Sequence, residues 1–221
     1  RRGPWPNGTR AKVRPRFPVY QEQVSRSVEL RDVVGVHVKD ERQFVFQNPD
    51  DGSSLFLSTT ALGLETRNHR DRKDFQRDIQ LALEALQEVH GEFSGTRLGL
   101  RYVNTLARES IAADLGRSVE WSDLVTEPFL RVPGDPGLGS DTAFSGEISS
   151  DASDGGRLTL RYGLVQPPGA GVPVFRLDLD RFAASGITGD AVLGMLDTFA
   201  DDIFVLFQSS VGPALAEWME G

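Results

Sequence analysis

The chain has 221 residues, no cysteine, 39% hydrophobic residues with 13 phenylalanines, and a formal charge of −8. That length accommodates one large domain or two small ones, and the lack of thiols excludes disulfides, thiolate metal sites and cysteine nucleophiles. The longest apolar run of note, residues 203–207, is five residues, against the ~20 of a membrane-spanning helix.

Residues 1–16 carry Arg1, Arg2, Arg10, Lys12, Arg14 and Arg16 and no acid, which leaves 18 basic and 32 acidic residues, a net of −14, for the remainder. With four prolines and two glycines, residues 1–18 read as an extended leader, disordered over 1–16. No apolar signal segment follows its basic residues, so a cytoplasmic protein without a membrane partner is expected. Within the leader, Arg10, Lys12, Arg14 and Arg16 are the candidates for contact with nucleic-acid phosphate.

Residues 28–38 alternate loosely around Gly35 and read as one bent strand. Residues 43–47 and 54–59 flank Asn48-Pro-Asp-Asp-Gly52, a turn signal that predicts a β-hairpin, and residues 62–66 supply a third short strand. Residues 71–90 are the clearest helix: Phe75, Ile79, Ala82, Leu83, Leu86 and Val89 fall on one stripe, with Arg77, Gln80, Glu84 and Glu88 opposite. Asp71 and Gly91 are its expected start and stop.

Residues 97–104 alternate with period two, so Leu98, Leu100 and Tyr102 share one face and Arg97, Gly99 and Arg101 the other. Residues 121–131 read as a short helix or irregular cover, and residues 133–141, rich in glycine and proline, as a loop. Strands are predicted over 144–149, 157–165 and 174–180. A last helix follows, with Val192, Leu196, Phe199, Ile203 and Leu206 in one stripe; Gly212-Pro213 breaks it before a final turn. The order predicts one α+β domain over 17–221, with antiparallel sheet in two β-β-β-α halves (about 17–132 and 142–221) and both long helices on one sheet face.

Residues 97–104, Arg-Leu-Gly-Leu-Arg-Tyr-Val-Asn, resemble the Arg-x-Gly-Leu-Arg-Tyr-x-Asn strand signature of a sporadically distributed, functionally uncharacterised prokaryotic family. Phe17-Pro-Val-Tyr-Gln-Glu22, residues 44–66 ending in Leu64-Glu-Thr66, Leu177-Asp-Leu-Asp180 and Phe207-Gln-Ser-Ser210 are similar to further elements of it. The resemblance spans the chain from Phe17 onward; the arginine-rich leader and the long glycine-rich loops depart from it. It implies a partner-binding role among mobile, defence-like gene sets, and brings no catalytic residue with it.

Asp178 and Asp180 share a strand face, as carboxylates of two-metal enzymes do. Arg176 lies on that face too, and Arg157 and Arg161 can oppose it, which is the pattern of a cross-strand charge ladder. His37, His69 and His90 lack metal-ligand spacing, Asp190, Asp197, Asp201 and Asp202 fit a solvated helix face, and the glycine runs at 134–139 and 169–171 lack a phosphate-loop lysine. The most informative set is Arg97, Arg101, Arg157 and Arg161. Were their strands neighbours, four guanidiniums would gather on one open face able to hold an anion or an acidic partner, with Asn104 at the strand's end.

The reading therefore favours a non-catalytic, cofactor-free, metal-free partner-binding or regulatory component, of a defence or toxin–antitoxin type assembly. The alternatives are a nucleic-acid-contacting subunit of a larger nucleoprotein complex, through the basic leader, and a metal-dependent phosphoester enzyme at Asp178 and Asp180.

Overall fold

Strands of alternating polarity build a four-stranded antiparallel sheet in each of two compact units, Arg1–Phe93 and Ser94–Gly221. The computed structural model describes residues 7–31, 35–67, 69, 71–130, 143–167, 171–184 and 186–221.

The first unit opens with a short helix, α1 (Asn7–Val13), where the sequence predicts a disordered leader. Val13 and Phe17 are fully buried in the core, and this burial holds the segment in place. Four strands follow in a meander: β1 (Val19–Arg31), β2 (Gly35–Asn48), β3 (Ser53–Leu57) and β4 (Leu62–Glu65). The expected single strand over 28–38 is instead the end of β1 and the start of β2, because the chain reverses and pairs Val28 with Val38. Between β2 and β3, Gly52 has φ 70° and donates its N–H to Asn48 O at 2.9 Å, which closes the turn read from the sequence.

Helix α2 (Arg72–His90) begins where Asp71 accepts from the N–H of Lys73 at 3.0 Å, and ends at Gly91, φ 73°. Its buried face is Asp78, Ile79, Ala82 and Ala85, while Leu83, Leu86 and Val89 of the expected stripe are half-buried. Ala82 and Ala85 share a core cluster with Phe44, Phe46, Leu55 and Leu57, the small alanines letting the helix backbone sit close to the large side chains of the sheet. Asp78 is buried because Arg16 pairs with it.

In the second unit a two-residue strand, β5 (Ser94–Gly95), precedes β6 (Leu98–Leu106). Next come α3 (Arg108–Leu115) and α4 (Trp121–Leu124), then a 3-10 turn, Glu127–Phe129. Helix α3 was not foreseen: only Ile111 of its residues is buried, so it carries no stripe. The predicted loop at 133–141 lies outside the described residues, as does part of the connection at 166–173.

Strands β7 (Phe144–Asp151), β8 (Arg157–Val165) and β9 (Val174–Ala183) complete the sheet in the order β6-β9-β8-β7, all antiparallel, and β10 (Ile187–Thr188) pairs with β5. Because β6 pairs with β9, the division falls after Phe93 and not within 132–142, and the halves are not both β-β-β-α. Helix α5 (Val192–Ser210) lies on β6 and β9 and buries Leu196, Phe199 and Ile203 above Leu100, Leu160, Phe175, Leu177 and Leu179. Helix α6 (Pro213–Glu220) starts at proline and packs on α3 and α4. The α+β class expected from the sequence is the observed one, with helix packed on antiparallel sheet.

Candidate functional site

Alternation along β9 divides its residues. Phe175, Leu177, Leu179, Arg181 and Ala183 face the helix side, and Arg176, Asp178, Asp180 and Phe182 face the other. Register then carries this outer face across the sheet. Opposite Phe182, Asp180, Asp178 and Arg176 stand Gly99, Arg101, Val103 and Thr105 on β6, and Arg157, Thr159, Arg161 and Gly163 on β8. Next to β8, edge strand β7 adds Asp151, Ser149, Glu147 and Ser145.

The strands bearing the four candidate arginines are thus not neighbours, and the condition set for their gathering directly side by side is not met. Two successive hairpins, β7–β8 and β8–β9, occupy both edges of β8, so β6 cannot pair with it and adds instead to the free edge of β9. The arginines nevertheless share one face, with the β9 carboxylates between them.

The pairing is dense. Arg101 grips Asp178 with two parallel hydrogen bonds, Nε to Oδ1 at 2.7 Å and Nη2 to Oδ2 at 2.6 Å, the fork geometry that makes guanidinium–carboxylate pairs strong. Arg176 reaches the same carboxylate at 3.2 Å. Arg97 lies 3.8 Å from Asp180 and stacks its guanidinium 4.5 Å from the centre of the Phe182 ring. Further out, Arg161 pairs with Glu147 at 2.8 Å and Arg157 with Asp151 at 3.0 Å. The Arg101 hydrogen bonds hold the Asp178 carboxyl below its ordinary value against the opposing effect of burial, and Asp178 raises Arg101 in return.

Exposure is sorted by sign. Side chains of the five arginines are 45–57% exposed, whereas Asp178 is 4% and Asp180 20% exposed. The guanidiniums therefore roof over the central carboxylates, and N–H donors are the chemistry this part of the face offers. Each guanidinium has five donors, and Arg101 commits only Nε and Nη2 to Asp178.

Asn104 does not join them. It stands opposite Leu177, half-buried on the helix side, because its position has the parity of Leu98 and Leu100. Asp178 and Asp180, the carboxylates of the metal reading, are both taken up by arginine, and among the described residues no group of three histidine, aspartate or glutamate side chains could hold a metal ion.

The basic candidates of the N-terminal segment are built into the first unit. Arg10 stacks 4.1 Å over Tyr20, Lys12 pairs with Glu88 at 2.6 Å, and Arg16 joins Asp78 and Asp51, each at 2.6 Å; Arg14 is exposed. Three of these four cations thus act as ties within the fold, in contrast to the free leader expected. Two arginines that matter were missing from the predicted site. Arg176 completes the roof, and its alternation with Asp178 and Asp180 was the available signal. Arg181, 3% exposed, bonds Asp202 on α5 and Asp154 in the β7–β8 turn, each at 2.8 Å, and stacks on Phe199. Its parity with Leu177 and Leu179 marked it as inward-facing.

No family model, no curated protein and no solved structure matches this chain.

Proposed function

We propose that this protein is a non-catalytic binding component, and that it holds a protein partner on the outer face of the β6-β9-β8-β7 sheet. The observation that carries the reading is the arrangement of five half-exposed arginines over buried Asp178 and partly buried Asp180 on a face whose opposite side packs α5. Paired arginines are held in position with donors to spare, so an acidic surface meets a preorganised array and little side-chain entropy remains to be lost. A chain of net charge −8 with such a concentration of guanidiniums on one sheet face gains specificity for an acidic patch chiefly through charge complementarity. The resemblance of residues 97–104 to the prokaryotic strand signature supports an assembly of the defence or toxin–antitoxin type.

The test is purification of the tagged chain from its own host, with and without the double change Arg157→Ser and Arg161→Ser. These two arginines pair with exposed Glu147 and Asp151, so the fold does not depend on them. A stoichiometric protein partner that is retained by the native chain, released by salt and lost from the double variant is the expected result. A partner retained equally by both removes the sheet face from the reading.

A further inference from the structure

Strand β7 is an edge: among the described residues it pairs with β8 and with no other strand. Edge strands are ordinarily blunted by lysine, proline, a bulge or a covering element. Residues 144–151, Phe-Ser-Gly-Glu-Ile-Ser-Ser-Asp, contain neither lysine nor proline, and their register with β8 runs unbroken from Phe144 to Asp151. Helix α5 lies on β6 and β9, at the other end of the sheet, and Ile148, opposite buried Leu160, is 46% exposed. The two acids do not guard the edge, because Glu147 and Asp151 turn along the outer face to Arg161 and Arg157, at 2.8 and 3.0 Å.

Hydrogen bonding decides which residues offer that edge. Ala152 donates to Gly156 O at 2.9 Å where the β7–β8 turn closes, so every second residue back from it, Ser150, Ile148, Gly146 and Phe144, bonds toward β8. Ser145, Glu147, Ser149 and Asp151 therefore direct N–H and C=O away from the sheet, an open template for a further strand.

We propose that the occupant is β7 of a second copy of this chain, paired antiparallel about a two-fold axis at Ile148, so that two four-stranded sheets join into one. The side chains select the axis. Centred on Ile148, Glu147 faces Ser149 of the second copy, Asp151 faces its Ser145, and Ile148 faces its own counterpart. That central pair is a non-hydrogen-bonded one, where side chains approach most closely. An axis one residue away sets Glu147 against the second Glu147, or against the second Asp151, and like charges directly opposite are destabilising. An axis two residues away shortens the overlap. Every pairing is reciprocal, so the contact is isologous and closes at two copies. It forms about eight backbone hydrogen bonds over a small area, and belongs with reversible dimers of dissociation constant on the order of 10 μM. The contact is independent of what the outer face binds.

The experiment uses the full chain. Sedimentation velocity between about 1 and 100 μM is expected to show monomer giving way to dimer. Ile148→Lys, whose fold is checked by circular dichroism, sets two ammonium groups opposite one another and is expected to weaken the dimer about tenfold or more. Since the chain has no cysteine, single cysteines read the register directly. Ile148→Cys brings two thiols together with Cα atoms ~4.5 Å apart, inside the disulfide range, and mild oxidation is expected to yield a covalent dimer. Ser150→Cys, also exposed, stands opposite Gly146 of the second copy and ~13 Å from its own counterpart, and is expected to give none. A chain that stays monomeric to about 100 μM, a dimer indifferent to Ile148→Lys, or equal oxidation of the two cysteine variants overturns the inference.

Discussion

Asp178 and Arg101 share one ion pair but not one environment, the carboxylate being 4% and the guanidinium 53% exposed. Removing either half therefore has unequal consequences. Arg101→Ala leaves a buried carboxylate with only the longer contact from Arg176, and should destabilise the chain by about 2 kcal/mol or more. Asp178→Asn leaves a guanidinium that water can reach, and should cost less; urea denaturation of the two variants checks the order. The pair also has a pH signature. Asp178 and Asp154 are held below the ordinary value of 3.8, each chiefly by its hydrogen-bonded arginine, so the unfolded chain takes up their protons first. The stability they confer is complete above that value and is lost as pH falls below it. Native stability should decline as pH falls below about 4, and the decline should be shallower in Arg101→Ala.

At the scale of elements, α1 and α5 depart most from simple expectation. Proline and glycine counts mark the first 18 residues as irregular, yet Val13 and Phe17 are fully buried and Arg16 ties the segment to α2 and to the β2–β3 turn. Removing residues 1–16 should lower the melting temperature of the chain, and Phe17→Ala should cost about 3–5 kcal/mol, the range for truncating a buried aromatic. In α5 the run 203–207 is apolar throughout, and the fold uses it unevenly: Ile203 is 4% exposed, Phe204 52% and Val205 67%. Ile203→Ala should destabilise by about 2–5 kcal/mol, whereas Phe204→Ser should change stability by about 0.5 kcal/mol or less. Thermal and urea unfolding of the two variants separates the buried side of the helix from the exposed one.

For the whole molecule, local pattern and long-range pairing divide the credit. Period-two alternation determined that Arg97 and Arg101 oppose Leu98 and Leu100, that Arg157 and Arg161 oppose Leu158 and Leu160, and that Asp178 lies with Asp180 and Arg176. All of this follows from strand geometry within a few residues. The same rule put Asn104 on the helix side, apart from the arginines with which it had been grouped. The Asn48–Gly52 turn and the Asp71 and Gly91 helix ends were equally legible, because each acts through its immediate neighbours. Which strands touch was not legible. Strand pairing joins residues about 80 apart, such as Arg101 and Asp180, and any of several sheet orders satisfies the same alternation. Only the tertiary structure placed β9 between β6 and β8, and so turned two separate arginine pairs and one acidic strand into a roofed array. It also decided the fate of the N-terminal cations, since burial of Val13 and Phe17 brings Arg16 within reach of Asp51 and Asp78. The sequence by itself determined which side chains share a face, because that depends on bond geometry; the tertiary structure alone decided which faces meet, because that depends on burial summed over the whole chain.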